Sequence, residues 1–471
     1  MGHRGAPANL PACGGPRVLP VRRHGLGAHA ARGPPGGGRA GGALLRGARL
    51  ASPRLVTRGR TLAALAFLQP GTLGPLQLPN RVIRAGTGES MADVDGVVSE
   101  GYVDLHRALA RGGVGLSFTG HMYVHPRGRY GPRQAGIHSD DVLGPLRRVT
   151  DAVHREGGRI FAQIAHAGSQ SMVADNDPLA VSAVPNVMTG RHVAEASDEE
   201  LQEAVAAFAA AARRAVEAGF DGVHVHGANG YLISQSRSPL TNRRTDSWGG
   251  TRERRESFAF AVVRAVRDAV PSDRGLTMKL GLRDMVDSPG GLSVEDAVEG
   301  AMGLVAAGLD GIEISSNLMS DYVSASIRAY VAVDRTRALE DWLVHRLHKG
   351  PEPEHYFLPL AQELRRRVDT TVILVGGLRR AQTMSGLVEN GDADFLSLAR
   401  PLIREPDLVR KLADGTADEA ACVSCNICLM HDEHHPLQCW RIPRTRLWEH
   451  VRYRLSGGFK ETGTGRKPRA H

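Results

Sequence analysis

The stretch Gly222–Tyr231 reads GVHVHGANGY and contains the pattern that decides the fold. Its first half is a short run rich in β-branched residues, which follows a long amphipathic stretch at Glu199–Ala218, and its second half is a polar loop. Short strands that alternate with longer helices predict a parallel sheet, because each parallel pair needs a crossover connection. Gly222–His226 is therefore predicted to be a strand whose carboxyl end carries polar side chains.

The same alternation continues along the chain from about Leu76. The predicted strands are Val82–Thr87, Gly115–Gly120, Arg159–Ala165, Gly222–His226, Leu276–Gly281, Gly311–Ser315, Thr371–Val375 and Asp394–Leu398. The predicted helices are Gly101–Arg111, Val142–Glu156, Glu199–Ala218, Arg252–Val270, Ser293–Ala307, Tyr356–Val368, Arg379–Asn390 and Pro406–Ala413. Eight βα units predict an α/β fold closed into a (β/α)8 TIM barrel, with its active site at the carboxyl ends of the strands. The alternative is a doubly wound open sheet, which usually has a Gly-x-Gly-x-x-Gly turn after its first strand; this sequence lacks that turn.

Composition divides the chain into three parts. Residues 1–65 are predicted to be a disordered tail, because residues 1–60 hold eleven Arg, no Lys, no acidic residue and few bulky apolar side chains. A targeting peptide or a start codon placed too early would give the same composition, and we favour the early start. Residues 70–415 are predicted to form the barrel, and residues 416–471 a C-terminal extension with four of the five cysteines.

The net charge of +9 belongs to the tail. Without those eleven Arg, 48 basic residues remain against 50 acidic ones, a net of about −2, so the barrel gives no reason to expect a nucleic-acid partner. The sequence has no run of about 18 apolar residues, so no membrane association is expected. The lack of a clear apolar leader and the clustering of the cysteines favour a cytoplasmic location.

Three polar side chains follow the strand at Gly222–His226. His226 and Asn229 are three residues apart and can both donate a hydrogen bond to one oxygen, and Tyr231 can supply a proton. This combination provides electrophilic activation and general-acid catalysis, although His226 and Tyr231 could equally serve only to cap a loop. His224 lies on the same face of the strand, one layer deeper, and is expected to be a hydrogen-bonded core histidine.

The segment from His226 to Gly250 resembles the signature of the Old Yellow Enzyme family of FMN-dependent oxidoreductases. Further motifs agree in the right order, and they are Asn80-Arg-Val-Ile83, Gln163-Ile-Ala-His-Ala-Gly168, Gly376-Gly377 and Ala399-Arg400. The similarity covers roughly residues 76–408. It implies a barrel that binds FMN, takes electrons from NAD(P)H and acts on a small-molecule substrate.

The resemblance assigns roles to the matching positions. His226 and Asn229 are expected to hold the substrate oxygen over the flavin, and Tyr231 to donate a proton to the substrate. Lys279 stands where the family usually has Arg, and is expected to stabilise negative charge at N1–C2=O of the flavin. The expected FMN-binding residues are Ala85, Gly86, Thr87, Gly120, Gln163, Lys279, Gly376, Gly377, Ala399 and Arg400, with the last four at the phosphate.

The loop after the first predicted strand departs from the family. Gly88 stands where many relatives have Thr or Cys near flavin O4, and Thr87 precedes it by one residue. Ser90 stands where some relatives have a Tyr that faces the substrate. These differences concern the side of the flavin on which its redox properties are tuned.

The four cysteines of the C-terminal extension are Cys422, Cys425, Cys428 and Cys439. Their spacing suits a [4Fe-4S] cluster or a zinc ion. It resembles the cluster motif of the branch that contains trimethylamine dehydrogenase and 2,4-dienoyl-CoA reductase, whose nucleotide-binding domains we expect to be absent here. We predict a [4Fe-4S] cluster, with zinc or unliganded thiols as the alternatives.

The sequence therefore predicts an NAD(P)H:flavin oxidoreductase that reduces an activated C=C bond, with hydride from flavin N5 and a proton from Tyr231. An oxidative demethylase or amine dehydrogenase, which would send electrons out through the cluster, is the alternative enzyme. A redox sensor without turnover is the alternative of another class. A separate electron-transfer protein and a homo-oligomer are partners that the sequence leaves open.

Overall fold

The computed structural model describes residues 65–285, 289–319 and 354–458. Almost all of the predicted N-terminal tail lies outside these residues. So does most of the connection after the strand predicted at Gly311–Ser315. The expected disorder of the tail therefore stays a prediction.

Eight parallel strands form the closed barrel that the sequence predicted. The strands in chain order are β1 (Gly71–Leu73), β2 (Leu76–Leu78), β3 (Val82–Arg84), β4 (Leu116–Phe118), β5 (Met122–Tyr123), β6 (Ile160–Ala165), β7 (Gly222–Gly227), β8 (Gly275–Gly281), β9 (Gly311–Ser315), β10 (Thr371–Val375) and β11 (Phe395–Leu398). The barrel closes because β3 pairs with both β4 and β11, and β4 pairs with β6. The short β5 only extends the edge of β6.

The antiparallel hairpin of β1 and β2 closes the amino end of the barrel. Leu73 and Leu78 of this hairpin pack in one buried cluster with three phenylalanines that fill the barrel interior, Phe118, Phe161 and Phe395. Apolar residues thus fill that end, and the carboxyl ends of the strands are left to form a site. This is the arrangement that a TIM barrel uses for catalysis.

Helices cover the outside of the barrel and account for its nearly continuous apolar strands, which are buried on both faces. They are α1 (Glu100–Arg111), α2 (Leu143–Arg155), α3 (Asp198–Glu217), α4 (Leu232–Arg237), α5 (Arg252–Ala269), α6 (Val294–Ala306), α7 (Leu358–Arg367), α8 (Ala381–Glu389), α9 (Arg400–Arg404), α10 (Leu408–Ala413), α11 (Ile427–Met430) and α12 (Arg444–Leu455). The sequence did not predict α4, α9, α11 or α12. Within the described ranges, no helix is long and apolar enough to span a membrane.

The C-terminal extension packs on the carboxyl end of the barrel. The amide of Leu437 donates to the carbonyl of Glu89 at 2.8 Å, and the amide of Glu433 donates to the hydroxyl of Ser90 at 2.9 Å. On the other side, the Arg400 guanidinium donates to the side-chain oxygen of Asn426 at 2.6 Å. The extension is therefore held against the loop after β3 and against the start of α9.

Candidate active site

A cavity of about 1260 Å³, including its open mouth, occupies the carboxyl end of the barrel. All the predicted catalytic and FMN-binding residues except Gly120 line its wall. They are Ala85, Gly86, Thr87, Gln163, His226, Asn229, Tyr231, Lys279, Gly376, Gly377, Ala399 and Arg400. Gly120 is not part of this wall, and its amide donates to Glu89 Oε1 at 2.7 Å.

His226, Asn229 and Tyr231 are brought together by the end of β7 and the start of α4. His226 is buried, and its Nδ1 has no hydrogen-bond partner among the described residues. Burial, aided by the nearby charges of His121 and Lys279, holds the pKa of His226 well below its usual value, so the ring is neutral. A neutral imidazole can donate one hydrogen bond without bringing a charge into the cavity.

The backbone at Asn229 has a positive φ of 61°, which turns the chain sharply between strand and helix. Its amide donates to the carbonyl of Ser316 at 2.9 Å, and its side-chain oxygen accepts from the Ser315 hydroxyl at 2.9 Å. Because the oxygen is held in this way, the NH2 group is the end of the side chain suited to a ligand. Tyr231 follows as the N-cap residue of α4, with its ring centroid 4.6 Å from that of His226.

The surroundings of Gln163, in β6, show whether the cavity wall suits a flavin. Its Nε2 is buried and has no partner in the described part of the chain, which is costly unless a ligand accepts its hydrogen bond. The side chain lies directly on the backbone of Gly86, where a Cβ atom would come within 2.4 Å of Nε2. Because Gly86 has no side chain, the Nε2–H group of Gln163 has room to donate to a ligand. This agrees with the role expected for Gln163 at the pyrimidine edge of FMN.

Lys279 of β8 belongs to a buried network that the sequence did not reveal. Its Nζ lies 2.5 Å from Oε2 of Glu313, and Nε2 of His224 lies 3.2 Å from the same oxygen. His224 also lies 2.8 Å from the Thr277 hydroxyl, which confirms that it is a hydrogen-bonded core histidine. Burial alone would raise the pKa of Glu313, but the Lys279 ammonium and His224 outweigh it and hold the pKa well below its usual value.

The ends of β10 and β11 provide the surroundings expected for a phosphate. Gly376 and Gly377 have φ values of 108° and 76°, so the chain there takes a path that glycine adopts without strain. Arg400, which is predicted to bind the phosphate, stands at the start of α9 and lines the cavity. Arg379 lines it too, and sequence reasoning missed it although only Leu378 separates it from the glycine pair.

His121, Tyr130 and Asp432 form a further part of the wall that was not predicted. The Tyr130 and Tyr231 rings stack with centroids 5.7 Å apart, and Nε2 of His121 lies 3.5 Å from the Tyr231 hydroxyl. His121 directly follows the predicted strand Gly115–Gly120, so the rule that found His226 could have found it. Asp432 lies in the C-terminal extension, and nothing in the sequence pattern connects it with the barrel.

The four cysteines predicted to bind a cluster line a second cavity of about 340 Å³, and Cys428 lines the first as well. Across residues 65–285, 289–319 and 354–458, however, no group of three or more His, Cys, Asp or Glu side chains is placed to hold a metal ion. The structure therefore does not support the predicted metal site at Cys422, Cys425, Cys428 and Cys439.

Comparisons with known proteins bear on this site. The sequence model of the NADH:flavin oxidoreductase / NADH oxidase family matches residues 66–419. The chain is 32% identical over 362 residues to the NADH oxidase of Thermoanaerobacter brockii, covering 76% of this chain and 52% of that protein. It is 34% identical over 378 residues to the 4,4'-dithiodibutanoate disulfide reductase of Rhodococcus erythropolis. That match covers 77% of this chain and 92% of the reductase.

Among solved structures, the Old Yellow Enzyme homologue from Zymomonas mobilis is similar, with a TM-score of 0.61 and 25% identity. That match covers 75% of this chain and 93% of the other. The chain spans about half the length of the NADH oxidase, but nearly the whole length of the disulfide reductase.

Proposed function

The chain belongs to the NADH:flavin oxidoreductase / NADH oxidase family, and we propose that it reduces the activated C=C bond of a small enone or enoyl substrate. The observation that carries this proposal is the group formed by His226, Asn229 and Tyr231 in the wall of one cavity. Two neutral hydrogen-bond donors beside a phenol suit a substrate that has an oxygen to be held and a carbon to be protonated.

The chain's own residues would hold FMN along the cavity wall. Gln163 would donate to its pyrimidine edge, Lys279 would face N1–C2=O, and Arg400 with the turn at Gly376 and Gly377 would bind the phosphate. When bound, FMN would supply the hydride-transfer chemistry that connects NAD(P)H with the substrate.

Binding of the substrate oxygen and donation of the proton are the proposed roles of His226, Asn229 and Tyr231. His226 and the NH2 group of Asn229 donate to the substrate oxygen, which draws electron density away from the double bond. Tyr231 gives its hydroxyl proton to the carbon that does not receive the hydride. Tyr231 is 2% exposed, so bulk water has little access to the proton that it delivers.

Replacing Tyr231 with Phe tests the proposal in two half-reactions measured by anaerobic stopped flow. Reduction of the bound flavin by NADPH needs no phenol and is expected to keep its rate. Oxidation of the reduced flavin by 2-cyclohexenone is expected to slow by about 10²- to 10⁴-fold, which is the usual contribution of a positioned general acid.

The matched control is Tyr123→Phe, because the Tyr123 hydroxyl donates to the carbonyl of Asp95 at 3.1 Å and does not line the cavity. Equal slowing of both half-reactions in the Tyr231 variant would contradict the proposed proton donor. A chain that accepts electrons from NADPH but passes none to an enone would favour the demethylase or the sensor. The [4Fe-4S] cluster stays a prediction, which iron and sulfide analysis of anaerobically purified protein tests.

A further inference from the structure

Asp432 reaches the barrel cavity from the C-terminal extension, two residues after the end of α11. Its Oδ1 accepts a hydrogen bond from the Ser90 hydroxyl at 3.0 Å. The amide of the next residue, Glu433, donates to the same hydroxyl at 2.9 Å. These two bonds fix the carboxyl group over the loop that follows β3.

Gly88 provides the space that this carboxyl group occupies. A Cβ atom on Gly88 would lie 3.0 Å from Asp432 Oδ1 and 3.4 Å from His121 Nε2. The carboxyl group and the imidazole therefore fill the place where many family members have a Thr or Cys side chain. Both groups border the cavity that Tyr231 also lines.

Gln134 determines which nitrogen of His121 carries the hydrogen. Its Oε1 accepts from the Tyr130 amide at 2.6 Å, so its NH2 end faces His121, where it lies 2.8 Å from Nδ1 and 2.7 Å from the carbonyl. Nδ1 is thus the acceptor, and the neutral ring carries its hydrogen on Nε2. That nitrogen lies 3.5 Å from the Tyr231 hydroxyl, so His121 can donate towards it once the phenol loses its proton.

The surroundings of the pair favour its uncharged form. Burial raises the pKa of Asp432, although His121 opposes the effect, and Glu89 raises it further. Burial likewise lowers the pKa of His121, with Arg84 acting in the same direction and Asp432 opposing it. Glu433 lies next in the chain, and burial raises its pKa to about 8. Burial thus shifts Asp432, which lines the cavity, towards its protonated form.

We infer that Asp432, together with His121, supplies the proton that replaces the one Tyr231 gives to the substrate. This inference rests on the proposed function, in which the Tyr231 O–H bond breaks and its proton goes to the substrate carbon. A phenolate in this buried position would be costly, because little water can solvate it. As it forms, His121 Nε2–H donates a hydrogen bond to the phenolate oxygen. The His121 Nε2–H bond breaks and its proton passes to that oxygen, while the Asp432 O–H bond breaks and its proton replaces the one lost from Nε2. The resulting carboxylate is protonated again from solvent.

The test is Asp432→Asn, which keeps the size of the side chain but removes its acidic proton. Three reactions are compared in the full-length, FMN-loaded protein: flavin reduction by NADPH in a single turnover, steady-state reduction of 2-cyclohexenone by NADPH, in which Tyr231 must be protonated again in every cycle, and steady-state reduction of ferricyanide by NADPH, which requires no protonation of carbon. We expect the enone reaction to slow by about tenfold or more, within the range of general-acid effects. The other two reactions are expected to keep their rates, and Asp432→Glu is expected to restore part of the enone rate.

The matched control is Glu433→Gln. Glu433 is a buried carboxyl group next to Asp432, but its Oε2 accepts from the Arg133 amide at 2.8 Å. This variant is expected to keep all three rates. If Asp432→Asn slows the ferricyanide reaction as much as the enone reaction, Asp432 has only a structural role and the inference is wrong.

Two further outcomes separate this inference from the proposed function. If Tyr231→Phe slows enone reduction and Asp432→Asn does not, the proton supply is wrong while the proposed function stands. If neither variant slows it, the proposed function itself fails. Should Asp432→Asn not fold, Gly88→Ala serves instead, because its methyl group would lie 3.0 Å from Asp432 Oδ1 and push the carboxyl group out of its position. It must then show the same selective loss with the enone.

Discussion

Replacing Glu313 with Gln is expected to raise the reduction potential of the bound FMN. Glu313 is fully buried, and its carboxylate lies 2.5 Å from the Lys279 ammonium. It thereby offsets the positive charge that we propose faces N1–C2=O of the flavin. Gln keeps the shape and can still accept hydrogen bonds, but it leaves the positive charge of Lys279 uncompensated. Negative charge on the reduced flavin is then stabilised more strongly.

The size of the effect follows from the length of the Glu313–Lys279 ion pair. If Lys279 Nζ donates to the flavin over about 2.9 Å, the Glu313 carboxylate lies about 5 Å from the accepting atom. A unit charge at this distance contributes about 3 kcal/mol at an effective dielectric constant of about 20. For a two-electron couple this energy corresponds to an upward shift of about 60 mV.

The assay is a spectroscopic redox titration of the bound flavin against reference dyes. Ser397→Ala is one control, since the Ser397 hydroxyl donates to Glu313 Oε1 at 2.6 Å and its loss leaves the carboxylate charge in place. Glu256→Gln is another, because Glu256 is a buried carboxylate paired with Arg237 at 2.9 Å and does not line the cavity. In both control variants, the reduction potential of the flavin should shift by only a small fraction of the shift expected for Glu313→Gln. An unchanged or lowered potential in Glu313→Gln would refute the placement of Lys279 beside the flavin.

Two other predictions concern FMN binding and stability. Gly86→Ala would place a methyl carbon 2.4 Å from Gln163 Nε2, so the purified variant should release much less FMN on denaturation than the parent. Gly144→Ala is the control, because nothing lies within 4 Å of its new methyl group, and it should release as much FMN as the parent. Burial raises the pKa of Glu433 from its usual 4.5 to about 8, so the folded chain keeps a proton that the unfolded chain has lost between these values. The free energy of unfolding should therefore fall as the pH rises through this window, and Glu433→Gln should flatten that fall in urea titrations. A parent protein whose stability does not change across the window would argue against the buried neutral carboxyl group.

The barrel could be predicted from sequence because its strands are short apolar runs between long amphipathic helices. The rule that sites form at the carboxyl ends of strands then pointed to His226, and the family resemblance added Gln163 and Lys279, which line the same cavity. Glu313 was missed for a physical reason. It lies inside β9, and alternation along a strand does not reveal which charged residue will meet a partner on the neighbouring strand. The β8–β9 register, which sets Lys279 opposite Glu313, supplies that information.

The departures from the family at Gly88 and Ser90 gain a common explanation from the C-terminal extension. The missing side chain at Gly88 leaves room for the Asp432 carboxyl group, and the small hydroxyl of Ser90 bonds both that group and the amide of Glu433. A Thr at position 88 would contact the carboxyl group, and a Tyr at position 90 would not fit where Ser90 meets the extension. The loop and the extension are therefore interdependent: the extension supplies the polar side chain that the loop lacks beside the proposed flavin site. If that is so, Gly88→Thr should affect enone reduction through Asp432, and combining it with Asp432→Asn should add little to the loss that either change causes alone.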